Sequence, residues 1–149
     1  MTAITPRPDY AGDVESRDAW AMLKADKDAQ LVDVRTRPEW NFVGLPDLAE
    51  LGRQALCLEW QRYPDMAIDT EFVAKAAEQL NRAGAGKNTQ LFFICRSGAR
   101  SAAAARAMTA AGYARAYNIA GGFEGDMDER HHRGHRNGWK ASGLPWRQS

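Results

Sequence analysis

The stretch QLFFICRSGARSAAAARAMTAAG, residues 90–112, constrains the fold more than any other part of this 149-residue chain. Its first half, QLFFIC (90–95), is apolar throughout. A strand with one wet face would alternate polar and apolar residues, so an unbroken run predicts a strand covered on both faces. The alanine-rich run at 98–112 predicts a helix that stops at Gly112. A buried strand that passes within a few residues into a helix is half of a βαβ unit. The rest of the chain repeats the alternation. SRDAWAMLKAD (16–26) predicts an amphipathic helix, with Ser16 as N-cap and Ala19, Trp20 and Leu23 on one face. QLVDVR (30–35), ALCLEW (55–60) and ARAYNIAGG (114–122) read as strands, the last ending in a glycine turn. PEWNFVGLPDL (38–48) reads as a short helical turn followed by loop. DTEFVAKAAEQLNRAG (69–84) reads as a helix capped by Asp69 or Thr70 and stopped by Gly84. The expected fold class is α/β: one domain over residues 1–149, with a central, mainly parallel sheet flanked by helices on both faces.

Composition narrows the partners. With a net charge of +1 and 26% charged residues, no basic block stands apart from neighbouring acids except near the C-terminus, so neither nucleic acid nor a membrane surface is expected as partner. The N-terminus lacks the charged flank and apolar core of a secretory signal, and no run is long enough to span a bilayer, so the default location is cytoplasmic. Two cysteines, Cys57 and Cys95, are too few for a disulfide framework and are expected as reduced thiols.

Ligands in parallel α/β sheets gather at the C-terminal ends of the strands, which is where Cys95 falls. A strand–loop–helix turn there aims the amides of residues 96–101 and the positive end of a helix dipole at whatever the loop encloses, and that favours a thiolate. Arg96 and Arg100 add positive charge, Gly98 lets the backbone curl inward, and Ser97 and Ser101 offer hydroxyls. The plainer reading is a core cysteine closing a strand; the flanking RSGAR argues against it.

CRSGARS after an apolar strand, LVDVR upstream, and NIAGGFEG and GLPW downstream together resemble the rhodanese sulfurtransferase domain, over nearly the whole chain. The resemblance implies a three-layer α/β/α fold and a cysteine that takes a sulfane sulfur from a small anionic donor such as thiosulfate. The resulting persulfide passes the sulfur to cyanide, to a thiol, or to a sulfur-accepting protein. Carried over by position, Cys95 is the nucleophile, and Arg96, Ser97, Gly98, Ala99, Arg100 and Ser101 form the sulfur-cradling loop. Asp33 and Arg35 match a D-x-R signature whose role looks structural. Neither cofactor nor metal is implied. Two departures stand out: EWNFVGLPDLAELG replaces the family's GHIPGA-like turn, and a polar arm precedes Trp139. Two other readings compete. Cysteine-dependent phosphatases, similar in fold as are certain arsenate reductases, place five residues between cysteine and arginine, whereas four separate Cys95 from Arg100, a loop better sized for one sulfur atom. The other is a sulfur-relay or binding module that docks to a partner protein.

The remaining features read as structural. His131, His132 and His135 have metal-ligand spacing but no acidic or thiol partner fixed beside them, so a solvated arm is expected. AGAGKNT (83–89) fails as a phosphate loop because it precedes a strand and places Asn88 after the lysine. Cys57 is expected in the core, with a resolving thiol as the alternative. Trp60, Phe123 and Trp139 are expected to pack, with lining of the pocket mouth as the alternative. An ion pair between Arg35 and Glu39 is expected to pin the turn after the D-x-R strand.

Overall fold

A computed structural model describes residues 3–148. In chain order the elements are β1 (Gly12–Glu15), α1 (Ser16–Ala25), β2 (Gln30–Asp33), β3 (Leu45–Pro46), β4 (Leu56–Cys57), β5 (Gln61–Arg62), β6 (Ala67–Ile68), α2 (Phe72–Arg82), β7 (Leu91–Ile94), α3 (Ala99–Ala110), β8 (Ala116–Ala120) and β9 (Trp146–Arg147). A single helical turn, Glu39–Val43, lies between β2 and β3.

The central sheet is parallel, in the order β1-β8-β7-β2-β4. β7 is its middle strand and is buried at every position, as its apolar run requires. Alternation sends Leu91 and Phe93 to one face, where they meet Phe72, Ala76 and Leu80 of α2 and Ala104, Ala105 and Met108 of α3. Phe92 and Ile94 face the other way, toward Ala19 and Leu23 of α1, Phe123 and Trp139. These are the three expected layers.

The expected strands and helices fall in place but are shorter, and the short strands β3, β5, β6 and β9 were not expected. Strand β1 was not foreseen, because GDVE carries one apolar side chain; its place is set by pairing with β8. Ser16 is the first helical residue and Glu15 takes the N-cap position. Asp69 stands outside α2, where its carbonyl and carboxylate accept the N–H groups of Phe72 and Glu71. ALCLEW keeps only Leu56–Cys57 as regular strand, although the N–H groups of Leu58 and Trp60 still reach the carbonyls of Asp33 and Val34. The loop after Val43 is held by the C-terminus, since β3 pairs antiparallel with β9.

Candidate active site

Strand β7 delivers Cys95 to the C-terminal edge of the sheet, and α3 starts four residues later. Gly98, at φ +123°, turns the chain so that its N–H donates to Cys95 Sγ at 3.1 Å. Ser101, on the first turn of α3, places Oγ 3.2 Å from the same sulfur and 2.5 Å from Asn118 Oδ1. The Asn118 amide is oriented by Asp13 of β1, whose Oδ1 accepts its N–H at 2.9 Å. A hydroxyl has one proton. Ser101 Oγ can therefore donate to Cys95 Sγ or to Asn118 Oδ1, but only to one of them at a time.

The loop carbonyls are bound on the opposite side. Phe123 N–H donates to the Cys95 carbonyl at 2.8 Å, and the N–H groups of Glu124 and Gly125 donate to that of Arg96 at 3.0 and 3.1 Å. This clamp requires Gly122: a Cβ there would sit 2.4 Å from the Cys95 carbonyl oxygen, on a residue at φ +61°. With these carbonyls held by the segment after β8, the N–H groups at the start of α3, which have no intrahelical acceptors, are left for the pocket. Cys95 itself is 1% exposed, at the floor of an open cleft of about 570 Å³ lined by Glu39, Val43, Gln61, Met66, Arg96, Ser97, Ala99, Arg100, Glu124 and Arg133.

Charge around the cleft is distributed differently from expectation. Arg35 pairs with Asp33, not Glu39: Nη2 lies 2.6 Å from Asp33 Oδ2, both side chains are fully buried, and the same nitrogen donates to the Gly44 carbonyl at 2.7 Å. The guanidinium also stacks 4.3 Å over the Phe123 ring. Asp33 and Arg35 thus tie the end of β2 to the helical turn from inside the protein. Glu39 pairs with Arg100, which donates from Nη1 and Nη2 to the two carboxylate oxygens at 2.7 and 3.0 Å. Burial pushes the Glu39 carboxyl up, but Arg100 and the N–H and hydroxyl of Thr36 outweigh it and hold its pKa at about 2. Arg100 therefore lines the cleft with both terminal nitrogens engaged, while Arg96 is exposed.

Cys57 is half-buried. Burial and the neighbouring Asp33 carboxylate push its thiol up to about 12, against the smaller effect of Arg35 and Arg147. It pairs in register with Asp33, which on its other side pairs with Ile94, so Cys57 lies two strand spacings, about 10 Å, from the end of β7. An intramolecular disulfide with Cys95 is out of reach at such a separation. Trp139 and Phe123 are fully buried, and Trp60 packs edge-on against Phe72 at 5.0 Å; none of the three lines the cleft. The histidine arm departs from its reading. Asp128, His132 and His135 bring ligand atoms within 4.8 Å of one another, so the missing acid is present, and His131 is not part of the group. Among the described residues this is the group able to hold a metal, although Asp128 Oδ1 already accepts the N–H groups of Arg130 and His132. Sequence reasoning missed Asn118, Gly122, Glu124 and Arg133. The first had a signal, a lone amide inside the apolar strand AYNIA; the others depend on how distant segments meet.

With this geometry in place, comparison with known proteins gives the family. The STR4 middle domain family matches residues 11–149, and the chain belongs to it. An uncharacterized protein of Rickettsia rickettsii, the RP600 homolog, is 38% identical over 131 residues, 88% of this chain and 93% of its own length. The rhodanese-like domain-containing protein 4 of Arabidopsis thaliana chloroplasts is 24% identical over 143 residues, 96% of this chain but 27% of that larger protein. Among solved structures, Rv0390 from M. tuberculosis superposes with a TM-score of 0.85 at 44% identity, covering 94% of this chain and 99% of that one. The polysulfide-sulfur transferase of Wolinella succinogenes superposes at 0.57 with 21% identity, covering 92% and 78%, a likeness of fold. No helix among the described residues is long and apolar enough to cross a membrane.

Proposed function

We propose that the protein is a sulfurtransferase that works through a persulfide on Cys95, with a sulfane donor such as thiosulfate and a thiol or cyanide as acceptor. One observation carries the reading: the Cys95 sulfur sits at the start of α3, receives the Gly98 N–H at 3.1 Å, and opens onto a cleft. The Cys95 thiolate attacks the outer sulfur of thiosulfate, the sulfur–sulfur bond of the donor breaks, and sulfite leaves with the bonding electron pair. The persulfide that remains is anionic, and the loop N–H groups stabilise its terminal sulfur as they would an oxyanion. A thiol acceptor then takes that sulfur and keeps its own proton, and Cys95 returns to the thiolate. The rhodanese-like names of distant relatives agree with this chemistry. The four-residue spacing from Cys95 to Arg100 speaks against phosphoryl transfer, for which the loop is tight. A cytoplasmic location and independence of any cofactor belong to the same proposal.

A relay that hands sulfur to a protein is the second reading, favoured by the cleft's surroundings. Met66 lines the cleft, its hairpin neighbours Tyr63 and Ile68 are 59% and 54% exposed, and Phe42, next to lining residue Val43, is 78% exposed. Mass spectrometry of the intact protein tests the persulfide that both readings share. Treatment with thiosulfate adds one sulfur atom and cyanide removes it; Cys95→Ser never gains it and Cys57→Ser does. Sulfur on Cys57 alone, or on neither thiol with several sulfane donors, defeats the assignment. Thiocyanate formation from thiosulfate and cyanide at catalytic rates favours the enzyme over the relay.

A further inference from the structure

We propose that the polar arm supplies an anion subsite to the cleft, in which the Arg133 guanidinium, assisted by Arg96, receives the oxyanion end of a thiosulfonate-type donor while its outer sulfur meets Cys95. The proposal rests on the sulfurtransferase reading and adds the side chain that holds the donor's oxyanion end.

Charge on the cleft wall leads to Arg133. Of the three arginines that line it, Arg100 is neutralised by Glu39, which takes both of its terminal nitrogens. Arg96 is exposed, so its charge is screened by water. Arg133 is half-buried and has no ion-pair partner among the described residues. One of its donors is used: Nη1 bonds the Gly125 carbonyl at 2.6 Å, which fixes the side chain against the segment that clamps the loop. A guanidinium carries five N–H donors in a planar fork, so the remaining ones are available to a sulfonate-like group. The backbone around it is also held, by Gly134 N–H on the Glu124 carbonyl at 2.7 Å and by Asn137 Oδ1 on the Asp126 N–H at 2.8 Å. A positioned cation on a wall shared with the nucleophile is what an anionic donor needs. Glu124 lines the same cleft and opposes an anion, but with Glu39 and Arg100 cancelling, Arg96 and Arg133 leave the wall positive by one charge. A thiosulfonate carries its negative oxygens on the sulfur that departs, so a guanidinium at the mouth holds the leaving group and points the outer sulfur inward.

Donor competition tests this, because inorganic polysulfide lacks the oxyanion head. Sulfur loading of Cys95 is measured with thiosulfate and with polysulfide, for the unsubstituted protein, Arg133→Gln and Arg133→Lys. Glutamine keeps a donor for the Gly125 carbonyl and removes the charge, which separates the anion role from support of the arm. The expected result is a KM for thiosulfate raised by about tenfold relative to that for polysulfide in Arg133→Gln, with part of the loss recovered in Arg133→Lys. The thiosulfate KM of Arg133→Gln also becomes less sensitive to added salt. Equal losses with the two donors, or an unaltered thiosulfate KM, overturn the subsite while leaving the persulfide chemistry standing. Failure of the unsubstituted protein to load from either donor overturns both.

Discussion

Two thiols and one carboxylate show how neighbours decide what a side chain can do. Cys57 and Cys95 both follow apolar residues near strand ends, yet the first is pushed up to about 12 by burial and Asp33, while the second receives the Gly98 N–H. The proposed chemistry is therefore expected to load sulfur on Cys95 alone, which mass spectrometry of Cys95→Ser and Cys57→Ser checks. Glu39 bears on pH. Its pKa is about 2 in the folded protein against an ordinary value of 4.5. A depressed carboxylate contributes stability that is complete above the unfolded value and is lost as pH falls through the folded one, so the contribution fades between about pH 4.5 and about pH 2. Its full size is of the order of 3 kcal/mol, one pKa unit being about 1.4 kcal/mol. Denaturant midpoints measured down the pH scale should show Glu39→Gln less stable than the unsubstituted protein at pH 7, with the two curves converging in acid. Parallel curves would refute the Glu39–Arg100 coupling.

Among the elements, the unit β7–loop–α3 presents Cys95, but the segment after β8 holds the loop in place. Gly122 is the tightest point of that clamp, since any Cβ would strike the carbonyls of Cys95 and Arg96. Gly122→Ala is expected to lose about 1–3 kcal/mol of stability through strain and overlap, and to lose sulfur loading by more than the unfolded fraction explains, because the loop must shift to admit the methyl. Thermal melts and loading kinetics on one sample decide it; normal loading in a merely destabilised protein would show that the clamp does not shape the loop. Asn118 works at the same level. It links Asp13 on the edge strand to Ser101 beside the sulfur, so an unforeseen strand is connected to the site by two hydrogen bonds.

The whole molecule is closed by its C-terminal segment. Trp139 is fully buried among α1, β7 and the loops, meets Trp20 edge-on at 5.8 Å, and donates its indole N–H to the Pro145 carbonyl at 2.7 Å. Trp139→Ala should cost about 3–5 kcal/mol, the ordinary price of emptying a large aromatic site. Because the same segment brings β9 to β3 and carries the arm that bears Arg133, Trp139→Ala should also show faster hydrogen exchange at residues 124–138 under native conditions. Protection there equal to that of the unsubstituted protein would place the arm's support elsewhere. What the sequence determined by itself was the layered fold and the strand–loop–helix turn that carries Cys95. The signals for both are local: an unbroken apolar strand, a strong helix former, and a cysteine between them, all within 23 residues. What only tertiary structure decided were the partners of the charges. Arg35 chose Asp33 two residues away over Glu39, Arg100 reached Glu39 across 61 positions, and Asp128 joined two histidines of the arm. An ion pair's energy depends on burial and on separations of a few ångströms, and neither is written in the order of residues along a chain.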